Sequence, residues 1–174
     1  FEIDPAVERI ARDQRYFLFL ESCGARCAVV LGDARLTLGR FDRRFDAIVL
    51  DAFSSDSIPL HLLTREALDM YLQHLKPGGL LLFHVSNRYL RLGPALARVV
   101  QDRGLVSVEQ EQPISDADAE TGKSASDWVV ASSDADAISL LASDSRWKSL
   151  TAPTQMRVWT DDYSNILSVL KFLN

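Results

Sequence analysis

Segments with the pattern of buried β-strands alternate along this chain with segments that have the pattern of amphipathic helices, and few folds accommodate such an order. Residues 27–33 (CAVVLGD), 45–51 (FDAIVLD) and 80–85 (LLLFHV) are short apolar runs typical of buried strands. Residues 64–76 (TREALDMYLQHLK) place their apolar side chains on one helical face, behind a capping threonine. Parallel strands joined by crossover helices are the usual result. We therefore predict an α/β fold with a mostly parallel sheet and helices on both faces.

The remaining segments continue this alternation. Predicted strands are FEI (1–3), LVSVEQEQ (105–112) and DWVVAS (127–132), and predicted helices are the segment that begins at Pro5, LGPALARVVQDRG (92–104), ADAISLLAS (135–143) and NILSVLKFL (165–173). Pro77, Gly78 and Gly79 are expected to end the helix of residues 64–76. Residues 115–126 contain no large apolar side chain, which predicts a solvated and mobile loop.

Length and charge limit the class of protein. The chain has 174 residues and a formal net charge of −5 at pH 7. This length suits one domain with its own core, so residues 1–174 are predicted to form a single domain. An acidic surface repels phosphate backbones, which argues against nucleic acid as a partner and suits a cationic substrate. No apolar run reaches the length of a membrane span and no signal peptide is visible, so we predict a cytoplasmic protein or the cytoplasmic domain of a membrane protein.

The two cysteines, Cys23 and Cys27, form a C-x₃-C pair without a second pair elsewhere. A structural zinc site requires more ligands than this, so no metal is expected. We predict reduced, partly buried thiols, which fit a cytosolic compartment.

Polar side chains follow the predicted strands where each strand ends. In an open α/β sheet, ligands bind outside the carboxyl ends of the strands, and Asp33, Asp51 and His84 all lie at such ends. Aspartate also commonly caps the helix that follows a strand. For Asp4 the cap is the preferred interpretation because Pro5 follows it, whereas for Asp33 and Asp51 both interpretations remain open.

Four segments resemble, in order and spacing, the adenosyl-sulfonium-binding domain of spermidine synthases and related class I methyltransferase-fold proteins. They are FEID (1–4), VVLGDA (29–34), FDAIVLDAFSSD (45–56) and LKPGGLLLFHVSN (75–87), and the resemblance covers about residues 1–112. The acid-rich LDAFSSD is closest to the aminopropyltransferases, in a bacterial spermidine synthase-like branch that is often fused to membrane-spanning segments. The resemblance implies a Rossmann-like fold that is truncated at its N-terminus.

The resemblance also assigns roles to residues. Glu2 matches the ribose-binding acid, Asp33 with Ala34 the adenine contact, and Asp51 the catalytic aspartate. Asp56 would hold a second ammonium group of a polyamine. The co-substrate would be decarboxylated S-adenosylmethionine or S-adenosylmethionine, without a metal. Four residues separate Asp51 from Asp56 where the family has two.

Two further residues are candidates on the acceptor side. The segment FHVSN (83–87) replaces the strand-end glutamine that is common in spermidine synthases, and His84 in it is either a base near Asp51 or a hydrogen-bonded core histidine. Asp161 lies in a Thr-Asp-Asp segment similar to one in related family members. This segment either closes over the pocket or caps the last helix, with Asp162 or Ser164 as the N-cap.

The implied function is aminopropyl transfer to a polyamine. The alternatives are an S-adenosylmethionine-dependent methyltransferase and a non-catalytic nucleotide-binding or regulatory domain. The strand and glycine-rich turn that precede FEID in class I folds do not occur in this sequence. We therefore expect the isolated chain to be catalytically silent, with an altered sheet centre or intermolecular strand pairing, as in a homodimer.

Overall fold

The structure is a computed structural model that describes residues 1–53 and 58–172, with the side chains of residues 116 and 117 outside the description. The chain forms two compact units, Phe1–Arg43 and Arg44–Asn174. Each unit is described by itself below.

The first unit is built from short helices. They are α1 (Pro5–Arg12), α2 (Phe19–Cys23) and α3 (Ala34–Leu38), with a 3₁₀ turn at Gly24–Arg26. Asp4 caps α1 as predicted, since its carboxylate accepts a hydrogen bond of 2.7 Å from the Ala6 N–H.

The two strands predicted for the first unit are wrong in extent. Residues 1–3 and 27–33 make a single parallel bridge, between Glu2 and Leu31. Glu2 donates its N–H to Val30 and accepts from the Gly32 N–H. Gly32 has a φ of 133°, so the chain turns away directly after this bridge, and the pairing ends there.

The prediction of reduced thiols is also wrong, because Cys23 and Cys27 are joined by a disulfide. The 3₁₀ turn between them brings their Cα atoms to 5.6 Å, within the range that a disulfide requires.

The second unit contains a five-stranded sheet in the order β1-β2-β4-β3-β5. Its elements are β1 (Phe45–Leu50), α4 (Arg65–Gln73), β2 (Leu75–His84), α5 (Gly93–Asp102), β3 (Val106–Gln112), α6 (Asp116–Glu120), β4 (Ser126–Ser132), α7 (Ala135–Ala142) and β5 (Lys148–Ser149), with 3₁₀ turns at Leu60–Leu62 and Ile166–Val169. The predicted α/β class is confirmed.

The sheet is mixed, so the prediction of a mostly parallel sheet is wrong. Among the described strands of this sheet, only β1 and β2 pair in parallel, because β4 enters between β2 and β3 and runs antiparallel to both. The strand β5 is also antiparallel to its neighbour β3. Strands β1, β2 and β3 still point the same way, since two antiparallel steps restore the original direction.

The helix α4 begins where predicted, with Thr64 as its N-cap, but it ends at Gln73. Pro77, Gly78 and Gly79 lie inside β2 instead of terminating the helix. The register between β1 and β2 shifts at this point, and a Cβ on Gly79 would lie 2.9 Å from the Asp46 carbonyl oxygen. Gly79 therefore accommodates a close approach of two strands, a role that local sequence patterns do not distinguish from a helix stop.

Two other element predictions need correction. Residues 166–169 form only a 3₁₀ turn in place of the predicted helix over residues 165–173. The polar segment 115–126 contains the short helix α6, where Ser115 and Asp118 form a reciprocal capping box. A capping box suffices to begin a helix even where no apolar face is available.

Helices pack on both faces of the sheet. Tyr71 of α4 contacts Phe83 of β2, whose ring centre is 6.3 Å away, on the face where Phe83 is buried. On the opposite face Ile138 of α7 packs with Val108 and Val130. Helices on both faces hold the sheet in place, and they thereby position the sheet edge at which the polar residues lie.

Candidate functional site

In the second unit, candidate polar residues lie together at one edge of the sheet. The carboxyl ends of β1, β2 and β3 lie there, together with the amino end of the antiparallel β4. Leu50 of β1 is in register with Phe83 of β2, so Asp51 follows directly beside His84. The register therefore joins two residues that the sequence separates by 33 positions.

A hydrogen-bonded chain starts at Asp51. Its Oδ1 lies 2.7 Å from Nδ1 of His84, and Nε2 of His84 lies 2.8 Å from Oγ of Ser86. Ser86 Oγ also accepts a 2.7 Å hydrogen bond from the backbone N–H of Asp127, next to β4 residue Trp128. The Asp51 side chain is 56% exposed and that of His84 is 20% exposed. One end of the chain is thus open to a ligand, and the other end is anchored in the sheet.

Aromatic rings hold the imidazole on two sides. Trp128, the cross-strand partner of His84, stacks on it with 4.5 Å between ring centres and 3° between planes. Phe53 approaches at 4.7 Å with its plane inclined by 67°. The imidazole therefore has a defined orientation beside the Asp51 carboxylate, and its surroundings suit the alkyl and ammonium parts of an amine.

A second feature lies on the other face of the sheet, at the same edge. It is a cavity of about 330 Å³ whose polar lining includes Arg91, Glu109, Glu111, Asp127 and Lys171. Burial raises the pKa of Glu109, and the nearby Glu111 carboxylate adds to this rise. Burial likewise raises the pKa of Asp127.

Sequence reasoning did not find this cavity, although one signal was available. Alternate residues of β3 share a face of the sheet, so Ser107, Glu109 and Glu111 point the same way. Ser107 is buried and Glu109 is partly buried, whereas Glu111 is exposed, so Glu109 is the carboxylate that enters the covered part of this face.

The predicted nucleotide residues Glu2 and Asp33 lie near each other in the first unit, at the ends of the two bridged segments. Glu2 accepts a 2.8 Å hydrogen bond from the Asp4 N–H. Asp33 caps α3, because its carboxylate accepts a 2.9 Å bond from the Leu36 N–H. Ala34, predicted to flank the adenine, is the first residue of α3. The cap interpretation of Asp33 is therefore confirmed, whereas its role in binding a ligand stays a prediction.

Asp161 contacts the beginning of α4. Its Oδ1 accepts a 2.7 Å hydrogen bond from the Thr64 hydroxyl, and its backbone N–H donates to Glu66 Oε2 at 2.9 Å. These contacts join the C-terminal segment to the N-terminus of a helix 95 or more positions earlier. The cap to which Asp161 belongs is therefore that of α4 and not that of a last helix. Asp56, the proposed second ammonium ligand, lies outside the described residues.

Within residues 1–53 and 58–172, no group of three or more histidine, cysteine or acidic side chains is arranged to hold a metal ion. The helices of these same ranges are all too short or too polar to cross a bilayer.

Comparisons with known proteins agree on one likeness. A polyamine aminopropyltransferase of Vibrio vulnificus (strain CMCP6) is 44% identical over 94 residues, which are 51% of this chain and 30% of that protein. No protein-family model matches the chain.

The crystal structure of a probable spermidine synthase from Corynebacterium glutamicum ATCC 13032 aligns with a TM-score of 0.62 and 19% identity, over 94% of this chain and 63% of that one. The chain thus spans less than two thirds of either protein. The resemblance predicted from the motifs is confirmed: the chain is spermidine synthase-like in sequence over the matched part and in fold.

Proposed function

We propose, from this likeness, that the chain is part of an aminopropyltransferase with a Rossmann-like, class I methyltransferase fold. It would transfer the aminopropyl group of decarboxylated S-adenosylmethionine to a polyamine. The observation that carries the proposal is the exposed Asp51 carboxylate, which follows the parallel strand β1 and is held by His84. Ligands of such sheets bind at the carboxyl ends of the strands.

The chemistry requires a carboxylate at this position. An amine attacks the carbon next to the sulfonium, and only the neutral amine is a nucleophile. Because amines are mostly protonated at neutral pH, a group must accept the proton and orient the nitrogen. Asp51 provides both, and its negative charge favours a cationic substrate. Asp51 is therefore proposed as the catalytic residue.

Glu2 and Asp33 are proposed to bind the nucleotide half of the co-substrate. Carboxylates accept hydrogen bonds from ribose hydroxyls and from the exocyclic amine of adenine. Their adjacent positions at the ends of two bridged segments support this pairing of roles. Ala34 would flank the adenine contact of Asp33.

On the acceptor side, His84 is proposed to contribute through Asp51, and Asp56 to bind a distal ammonium group of the polyamine. Asp161 is proposed to order the segment near α4, since its contacts with Thr64 and Glu66 fix that segment. A cytoplasmic location and a homodimer stay predictions.

A product assay tests the function. A protein that contains this chain is incubated with decarboxylated S-adenosylmethionine or S-adenosylmethionine and a panel of polyamines, and products are identified by mass spectrometry. An amine heavier by one aminopropyl group is the expected product. A methylated product would replace the proposal with methyl transfer. Bound nucleotide without any product would indicate a regulatory domain.

A further inference from the structure

We propose that His84 is a positioning residue for Asp51, held by Ser86 in the tautomer that carries its proton on Nδ1. The catalytic consequence rests on the proposed function, whereas the tautomer itself does not.

Each end of the hydrogen-bonded chain has a fixed direction. The Asp127 N–H can only donate, so Ser86 Oγ is the acceptor in their 2.7 Å bond. At the other end the Asp51 carboxylate can only accept, so Nδ1 of His84 is the donor in their 2.7 Å bond. A neutral imidazole with its proton on Nδ1 accepts at Nε2, and the Ser86 hydroxyl, whose hydrogen the Asp127 bond leaves available, is the donor to Nε2 at 2.8 Å.

The protein scaffold keeps this chain in place. Ser86 lies in an extension of the β2–β4 ladder, where the Val85 N–H donates to the Asp127 carbonyl at 2.8 Å. The imidazole is stacked on Trp128, with Phe53 against it. The ring contacts fix the plane of the imidazole, and a flip of the ring within that plane would break both hydrogen bonds, so these two bonds determine which way Nδ1 points.

In this arrangement the two oxygens of the Asp51 carboxylate have different roles. Oδ1 is occupied by Nδ1–H, while Oδ2 makes no hydrogen bond to any residue that the structure describes. Oδ2 is therefore the oxygen that would receive the amine. As the new C–N bond forms and the C–S bond breaks, the sulfur departs as a neutral thioether and the amine proton passes to Oδ2. His84 keeps its own proton throughout, so it orients the base instead of acting as one.

Kinetics of a protein that contains this chain test the positioning. The asparagine side chain can place an N–H close to the position of Nδ1, whereas alanine cannot. We expect His84→Ala to lower kcat by ~10²-fold, the scale of a misplaced catalytic group, with the KM for the nucleotide unchanged. His84→Asn should recover most of this loss. Equal kcat values for His84→Ala and the unchanged protein would overturn the positioning role, as would a loss that His84→Asn does not recover.

Nitrogen NMR of the chain tests the tautomer without reference to activity. We expect Nδ1 of His84 to carry the proton and Nε2 to be unprotonated, and Ser86→Ala should produce a mixture of both tautomers. The His84→Asn spectrum identifies the signal. A predominant Nε2–H form in the unchanged chain would overturn the inference. If the expected tautomer is observed but no aminopropyl transfer occurs, the proposed function fails while the assignment of the tautomer is supported.

Discussion

At the scale of single residues, the strand β1 carries an acid at each end, and only one of them is expected to matter for activity. Asp51→Asn keeps the shape of the side chain but cannot accept the amine proton, so we expect turnover to fall by ~10²–10⁴-fold. Asp46 makes an exposed 2.8 Å ion pair with Lys76, and exposed pairs contribute little. Asp46→Asn is therefore the control and should leave turnover unchanged. Glu2→Gln should instead weaken binding of the nucleotide half of the co-substrate, measured as a higher KM for the co-substrate. Full turnover in Asp51→Asn would remove this residue from the mechanism.

Glu109 predicts a dependence of stability on pH. Burial raises its pKa in the folded state, so the folded chain binds more protons than the unfolded chain just above the ordinary carboxyl range. The free energy of unfolding should therefore decrease as pH rises through this window. Glu109→Gln removes the titrating group, so its stability relative to the unchanged chain should increase with pH there. Urea unfolding at several pH values measures this, and a constant difference between the two proteins would contradict it.

At the scale of elements, the beginning of α4 depends on a buried hydroxyl. Thr64 accepts from the Ala67 N–H at 3.3 Å and donates to Asp161 at 2.7 Å. Loss of an N-cap typically costs about 1 kcal/mol, and loss of the hydrogen bond from Thr64 to Asp161 adds to this cost. We expect Thr64→Ala to lower the free energy of unfolding by about 1–2 kcal/mol, measured by urea denaturation. Thr64→Ser retains the hydroxyl and should lose less. An equal loss in both variants would show that the methyl group matters and not the cap.

The polar segment 115–126 is expected to exchange its amide hydrogens faster than the flanking strands β3 and β4. Its helix α6 is a single capped turn without a described apolar contact to the core, so little offsets the entropy of ordering it. Hydrogen exchange followed by mass spectrometry measures this directly. Protection equal to that of β4 would contradict the prediction.

At the scale of the whole molecule, β1 ends the sheet of the second unit, because it pairs only with β2 among the described strands. An unpaired edge of six residues invites pairing with another chain. We expect the 174-residue chain to associate in a concentration-dependent manner in sedimentation experiments. Val49 is exposed on β1, and Val49→Lys should weaken the association because charge on an edge strand opposes pairing. A monomer at every concentration would contradict this.

Several features of this protein were determined by the sequence itself, because they depend on interactions over a few residues. The alternation of periods near 2 and 3.6 predicted the α/β class, and the capping residues Asp4 and Thr64 predicted where two helices begin. The position of Asp51 after an apolar strand also predicted its place at the sheet edge. Such signals are local, so they need no knowledge of the neighbouring elements.

The tertiary structure alone decided what depends on strand order and register. The insertion of β4 between β2 and β3 made the sheet mixed and placed Trp128 beside His84. The register of β1 and β2 then brought Asp51 to His84, and the same ladder brought Ser86 to Asp127, 41 positions away. Strand pairing depends on packing across the whole unit, so a local sequence pattern does not predict which strands become neighbours.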